Sequence, residues 1–276
     1  MSAATHAALD AKVIERVLRA LAPAWSAKVV VRDSTGSTNH DAKALAAEGA
    51  PAGTVVVANE QTAGRGRSGN TWHSPPDASL YLSVVLRPSI EPARAAPLAL
   101  VAGVVVAGVV DARLDPAREA RARIKWPNDV WLDDKKLAGI LVESQIRGAE
   151  VTSVIAGIGL NAALDPAELP ADVAARATSL SAAGVTGDGL DRSTLAGEIA
   201  ARMLAAVNVY GLVGLAPFLH EIRSRDALLG RDVRVGDVSG TARGVDDEGR
   251  LIIEGADNKN NFVTTGHVSL PGSSWA

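Results

Sequence analysis

Between residues 124 and 159 three stretches that read as strands follow one another with no room for a helix between them: 124–132, 137–145 and 151–159. A parallel crossover needs a dozen residues or more, so strands this close in sequence must pair as antiparallel hairpins. Asp133-Asp134 supplies the turn between the first two. A regular strand–helix–strand rhythm is therefore missing. The pattern predicts an α+β fold, a mixed β-sheet with flanking helices, and not a doubly wound parallel sheet.

The rest of the chain fits around that sheet. Leu9, Val13 and Val17 with Ile14, Leu18 and Leu21 have helical spacing, and Pro23 stops that helix. Residues 28–32 read as a strand and 34–37 as a turn. A short helix follows Thr38, whose spacing to Asp41 suits a capping box, and Gly49 ends it. Residues 54–58 and the alternating 80–87 are further strands, and the polar stretch 60–79 between them is a long loop of the kind that usually serves function. Residues 95–112 read as a buried core helix. Their greasy part, 98–110, is bounded by Pro97 and Asp111 and falls short of the about 20 residues that a membrane span needs. Residues 162–190 are an irregular connection, and 193–210 and 215–229 are helical by periodicity. After Gly230 short strands (232–235, 241–245, 251–254, 262–265) alternate with tight turns, as in a small β-barrel. The expected division is an N-terminal helical segment at 1–27, a main domain at 28–229 and a small domain at 230–276.

With 28 Lys plus Arg against 31 Asp plus Glu, the net charge of −3 argues against a general nucleic-acid binder. Cysteine is absent, which excludes disulfides, Cys-based zinc sites and a Cys nucleophile. The five histidines form no i, i+4 pair, so a histidine metal site is not expected. No Lys or Arg precedes an apolar run at the N-terminus, so no signal peptide is expected; a cytoplasmic location and no membrane association follow as expectations.

Five clusters carry the chemistry. Gly64-Arg65-Gly66-Arg67-Ser68-Gly69 matches the spacing of a dinucleotide-binding loop. That loop must open a helix, and Asn70-Thr71-Trp72-His73-Ser74-Pro75-Pro76 cannot, so the match is disfavoured. Two arginines flanking Gly66 suit a phosphate or acyl phosphate instead; a solvated loop is the bland alternative. Lys125-Trp126-Pro127-Asn128-Asp129 holds its polar residues next to a stiff Pro127, or is simply a turn with a stacked Trp126. In Lys135-Lys136-Leu137-Ala138-Gly139-Ile140-Leu141 one lysine must face away and the other across the sheet, unless both belong to a solvated hairpin tip. Gly157-Ile158-Gly159-Leu160-Asn161 ends a strand in small residues and an amide. Ser37-Thr38-Asn39 is either a ligand-binding cluster or a helix N-cap. Several loop cations with one carboxylate and neutral hydrogen-bonding groups suit charge stabilisation at a phosphoryl group.

In this order, with Gln61 and Trp72 beside the glycine–arginine loop and Glu143 after the second lysine cluster, the five motifs closely resemble those of the bacterial biotin–protein ligases, from about residue 28 to the C-terminus. The resemblance implies a class II synthetase-like catalytic domain with a C-terminal SH3-like domain. It implies a ligase that joins biotin and ATP, with Mg²⁺, into biotinyl-5′-adenylate, and then transfers biotin to a lysine of a biotin carboxyl carrier domain. By the same resemblance Ser37, Thr38, Asn39, Gln61, Arg65, Gly66, Arg67, Lys136 and Gly139 would bind biotin. Arg65, Arg67, Trp72, Lys125, Asn128, Lys136 and Asn161 would bind ATP or the adenylate. Lys136, Asp129 and Arg67 would be catalytic: Lys136 neutralising charge on the α-phosphate and Asp129 orienting or deprotonating the acceptor lysine. Mg²⁺ would be held mainly by the ATP phosphates. Asn70 stands where family members often carry a further arginine. Some members also carry an N-terminal DNA-binding domain and act as repressors; the short stretch before the first strand leads us to expect a ligase without that role, either monomer or homodimer. The alternatives are a lipoate or octanoyl transferase-type ligase and a biotin-sensing repressor.

Overall fold

The computed structural model describes residues 8–271. Helix α1 (Ala11–Leu21) starts at Asp10, whose carboxylate accepts the Lys12 backbone N–H at 2.7 Å, and buries Ile14 and Leu18. Strand β1 (Val29–Thr35), helix α2 (Thr38–Ala47) and strand β2 (Val55–Gln61) follow. Strands β1 and β2 pair in parallel, and α2 supplies the crossover that such a pair requires. Strand β3 (Leu80–Leu86) leads to helix α3 (Leu98–Asp111). Strands β4 (Arg123–Lys125), β5 (Asp129–Leu132), β6 (Lys135–Arg147) and β7 (Glu150–Leu160) complete a seven-stranded sheet of order β1-β2-β3-β7-β6-β5-β4. One parallel pair and otherwise antiparallel pairs make the sheet mixed, as the hairpin spacing requires.

Residues 124–132 are two strands and not one. The cis Trp126–Pro127 peptide lies in the turn between β4 and β5, and Lys125 pairs with Asp129 across it. Proline has no N–H to give to a ladder and belongs at such a turn. The two-residue turn at Asp133-Asp134 has both residues at positive φ, as a tight hairpin turn needs.

The sheet's faces differ. Leu80, Leu82, Val84 and Leu86 of β3 join the main core beneath α3 and α5 (Arg192–Val213), which also packs on α1. On the other face Val56, Val85 and Ile155 meet Ala42 and Ala46 of α2. Beyond this small cluster that face carries glycines and polar residues, with Tyr81 and Leu141 among them. The stretches 92–111 and 192–213 are long and apolar enough to cross a membrane by length and composition alone, but α3 and α5 spend that apolarity in the core.

Between β7 and α5 the chain forms one short α-helix, α4 (Ala171–Ala174), flanked by 3-10 turns at Pro166–Glu168 and Gly187–Leu190. The helix expected at 215–229 is reduced to α6 (Leu219–Ser224). It stops because the Ile124 N–H bonds to the Arg225 carbonyl (2.7 Å) and the Ala227 N–H to the Ile124 carbonyl (2.9 Å), so this stretch pairs with β4 instead. Strands β8 (Asp232–Val235), β9 (Val238–Val245), β10 (Leu251–Glu254) and β11 (Asn260–Val263) form a second, antiparallel sheet in the order β11-β10-β9-β8. Arg234 and Ser269 exchange two backbone hydrogen bonds at 3.0 Å, which brings the segment after β11 back to β8 and curls the sheet towards a barrel.

Candidate active site

Three glycines on the sheet's polar face make room for the site. Gly139 of β6 pairs with Gly159 of β7, and Gly157 lies two residues away on the same face. A Cβ on Gly157 would lie 2.0 Å from Asn39 Oδ1, and one on Gly159 or Gly139 would lie 2.5 or 2.8 Å from the Trp72 ring. Asn39 and Trp72 occupy the space that side chains would fill, which explains the glycines at this strand end. Above this floor lies a cavity of about 290 Å³.

One end of the cavity is neutral. Ser37 precedes α2 and its side chain makes no capping hydrogen bond. Gln61 Oε1 accepts the Thr38 backbone N–H at 2.9 Å, and Gln61 Nε2 donates to Ser74 Oγ at 3.0 Å. Ser83 Oγ is 2.8 Å from Thr38 Oγ1 and donates to Asn39 Oδ1 at 2.7 Å. Ser37, Thr38, Asn39 and Ser83 are all buried, so their hydrogen-bonding groups are fixed in place.

The other end is cationic. Lys136 Nζ lies 2.8 Å from Asp129 Oδ1 and 5.2 Å from the centre of the Trp72 ring. Lys135 beside it is exposed, as strand alternation requires. Asn128 is locked to β6: its Nδ2 donates to the Ile140 carbonyl (2.7 Å), and its own carbonyl accepts the Ile140 N–H (2.9 Å). Arg67 Nη1 reaches Asn128 Oδ1 at 3.4 Å and its Nη2 donates to Thr265 Oγ1 at 2.8 Å. Burial lowers the Arg67 pKa, against the opposing pull of Asp129. Lys125 is buried, donates to the Val268 carbonyl at 3.2 Å and lies 5.1 Å from the centre of the Trp131 ring. Burial brings its pKa down to about 8 despite Asp129 opposite. Asn161 holds the wall, its Nδ2 donating to the Thr178 carbonyl at 2.9 Å. The Trp72 indole N–H is buried without an acceptor among the described residues, a donor not yet spent.

The residues that the sequence assigns to binding or catalysis line this one cavity: Ser37, Thr38, Asn39, Gln61, Arg65, Gly66, Arg67, Trp72, Lys125, Asn128, Asp129, Lys136, Gly139 and Asn161; Gly64, Lys135 and Glu143 of the same motifs do not. Sequence reasoning missed Ser83, although a lone serine inside Leu-Tyr-Leu-Ser-Val-Val-Leu was a signal: period-2 alternation sets it opposite the leucines. It also missed Arg176, Gly266, His267 and Val268, which line the cavity from distant parts of the chain. His267 has its pKa lowered, first by burial and then by Lys125. Among the described residues no group of three or more His, Asp or Glu side chains gathers to hold a metal.

The mixed sheet with a small β-sheet appended carries one cavity with neutral hydrogen-bonding groups at one end and cations at the other, the layout of a binding site for a ligand that is polar at one end and anionic at the other. The chain belongs to the biotin/lipoate A/B protein ligase family, whose model matches residues 31–161; a biotin protein ligase C-terminal domain model matches residues 228–270. It is 37% identical to the biotin–[acetyl-CoA-carboxylase] ligase of Mycobacterium tuberculosis, over 89% of this chain and 90% of that one. It is 37% identical to the bifunctional ligase/repressor BirA of Bacillus subtilis, over 82% of this chain and 69% of that one. For the Escherichia coli ligase/repressor the identity is 38%, and the match spans 62% of its length. Among solved structures, the biotin protein ligase of Aquifex aeolicus in complex with biotin and ATP superposes with a TM-score of 0.72 at 27% identity, covering 89% of this chain and 99% of that one.

Proposed function

We propose that this cavity attaches biotin to a lysine of a biotin carboxyl carrier domain at the expense of ATP. The chain is an ATP-dependent biotin–protein ligase. The observation that carries the reading is the neutral hydrogen-bonding end lying beside the Lys136–Asp129 pair in one cavity. An uncharged ureido ring needs donors and acceptors without charge, whereas a carboxylate meeting an α-phosphate needs cations.

In this reading Ser37, Thr38 and Gln61 hold the ureido ring, and Asn39 shapes that end. Arg67 and Lys136 draw the biotin carboxylate and the α-phosphate together. A carboxylate oxygen bonds to the α-phosphorus, the bond to the bridging oxygen breaks, and pyrophosphate leaves. Trp72, Lys125, Asn128 and Asn161 bound the nucleotide end. In the second step the acceptor lysine amine attacks the acyl carbon, the acyl–phosphate bond breaks and AMP departs. Asp129 orients that lysine and accepts its proton; an amine with an ordinary pKa near 10.4 needs such an acceptor. Asn128 and Asn161 would lie beside a Mg²⁺ held mainly by the ATP phosphates, which would supply charge neutralisation at the pyrophosphate. A single carboxylate with two amides beside it suits an ion that keeps its waters and phosphate oxygens.

We further read the molecule as a main domain at 28–229 and a small domain at 230–276, acting in the cytoplasm without DNA or membrane. The acidic net charge supports the absence of DNA binding. Lipoate or octanoyl transfer and a repressor role are not favoured. The deciding experiment is incubation with ATP, Mg²⁺, labelled biotin and an isolated carrier domain. The expected result is label on the carrier and release of pyrophosphate, both resistant to excess lipoate. An unlabelled carrier would overturn the reading.

A further inference from the structure

Glu143 has no role in the chemistry above, yet it stands where both ends of the site meet. Alternation along β6 puts Gly139, Leu141 and Glu143 on one face, and Glu143 pairs with Ile155 of β7. Its Oε2 accepts from Asn39 Nδ2 at 2.8 Å and from Arg65 Nη2 at 2.9 Å, and Lys43 Nζ lies 3.9 Å from its Oε1. A carboxylate can only accept, so the Asn39 amide nitrogen must face Glu143 and its oxygen must face Ser83. The glycine–arginine loop is thereby tied to the network that ends at Thr38 and Gln61. The two arginines of that loop diverge: Arg67 reaches Asn128 and Thr265, whereas Arg65 turns to Glu143.

We infer that Glu143 is a positioning residue: it fixes the Asn39 amide and makes Arg65 a strut that pins the root of the loop, leaving Arg67 as the loop's anion-facing cation. This rests on the ligase reading and reassigns Arg65, which the family resemblance places at biotin and the nucleotide. An ion pair this exposed contributes little to global stability. Its effect is local, because the loop it restrains closes over the ligand. If Arg65 instead carried phosphate, Glu143 would compete with the ligand and its removal would tighten binding.

E143Q, R65Q and the double variant separate the two cases. E143Q keeps an acceptor for Asn39 and loses the charge. Dissociation of biotinyl-adenylate from E143Q should be about tenfold faster than from wild type. The KM for biotin should rise by a similar factor, and kcat for adenylation should stay within about twofold. R65Q should speed adenylate dissociation by a similar factor, and the double variant should dissociate no faster than either single one, as expected for two ends of one contact. Adenylate held as tightly or more tightly by E143Q, or losses that multiply in the double variant, would overturn the inference. So would a lowered melting temperature with unchanged dissociation. Wild-type protein that forms no adenylate would overturn the ligase reading instead.

Discussion

Lys136 and Asp129 lie 2.8 Å apart in the ligand-free site, yet the proposed chemistry uses them in different half-reactions. Lys136→Ala should slow adenylation by about 10²–10³-fold, the loss expected for one preorganised electrostatic contact. Transfer from supplied biotinyl-adenylate should suffer less. Asp129→Ala should still form adenylate and should slow transfer by about 10²-fold. Pyrophosphate release and carrier labelling, followed separately, check both; equal losses in the two steps for each variant would refute the division. Lys125 makes a pH prediction. Its pKa is about 8 in the folded protein against 10.5 for an ordinary lysine. Between these values the unfolded chain holds a proton that the folded one has released, so stability gains from this residue as pH rises from about 8 to about 10.5. Urea midpoints of wild type and Lys125→Met should therefore shift in favour of wild type across that window, by at most about 3 kcal/mol. A difference that stays flat with pH would rule it out. At this scale the sequence was legible as far as residue types: the five motifs named the lining of the cavity. It did not explain its glycines, because the side chains that need the space, Asn39 and Trp72, arrive from other elements.

Among the elements, β3, β6 and β7 were readable to within two residues, from alternation and the turn at Asp133-Asp134, whereas β1 and β2 run to Thr35 and Gln61, three residues beyond their expected ends. The reading failed where tertiary pairing overrode a local pattern. The stretch 124–132 reads as one strand, although Pro127-Asn128 interrupts it; the chain turns there and so sets Lys125 opposite Asp129. The periodicity of 215–229 continues past Ser224, but Arg225 and Ala227 bond to Ile124. The tip of the loop between β2 and β3 is held by Gly66 N–H to the Asn70 carbonyl, Asn70 N–H to the Arg67 carbonyl, Trp72 N–H to the Gly64 carbonyl and the side-chain contacts of Arg65 and Arg67, whereas its base is tied by Thr62 and Ala63 N–H to the Thr35 and Gly36 carbonyls. Few apolar anchors besides Trp72 restrain it, so it belongs to the low-stability end of the molecule. Hydrogen exchange in residues 63–76 should slow when biotinyl-adenylate is added, while exchange in β7 stays unchanged. Equal exchange in this loop with and without ligand would contradict the proposed closure.

At the scale of the whole molecule, the small C-terminal sheet completes the site. Trp126 Nε1 donates to the Gly249 carbonyl at 2.9 Å, Lys125 to the Val268 carbonyl, and Arg67 to Thr265. None of this was legible from spacing, because the partners lie more than a hundred residues apart and nothing local marks them. Thr265→Val removes the Arg67 contact with almost no change in volume. It should raise the KM for ATP by about three- to tenfold with little change in melting temperature; an unchanged KM would show that Arg67 needs no such support. The same arrangement bears on synthesis. A ribosome makes the ureido end of the cavity early, from Ser37 to Ser83, and the glycine floor by Gly159. The contacts that anchor Arg67 and Lys125 exist only after Thr265 and Val268 have been added. A chain without Thr265 and Val268 lacks the wall that retains a reactive anhydride, so the order of translation leaves the reaction chamber unfinished until residue 268 has been made.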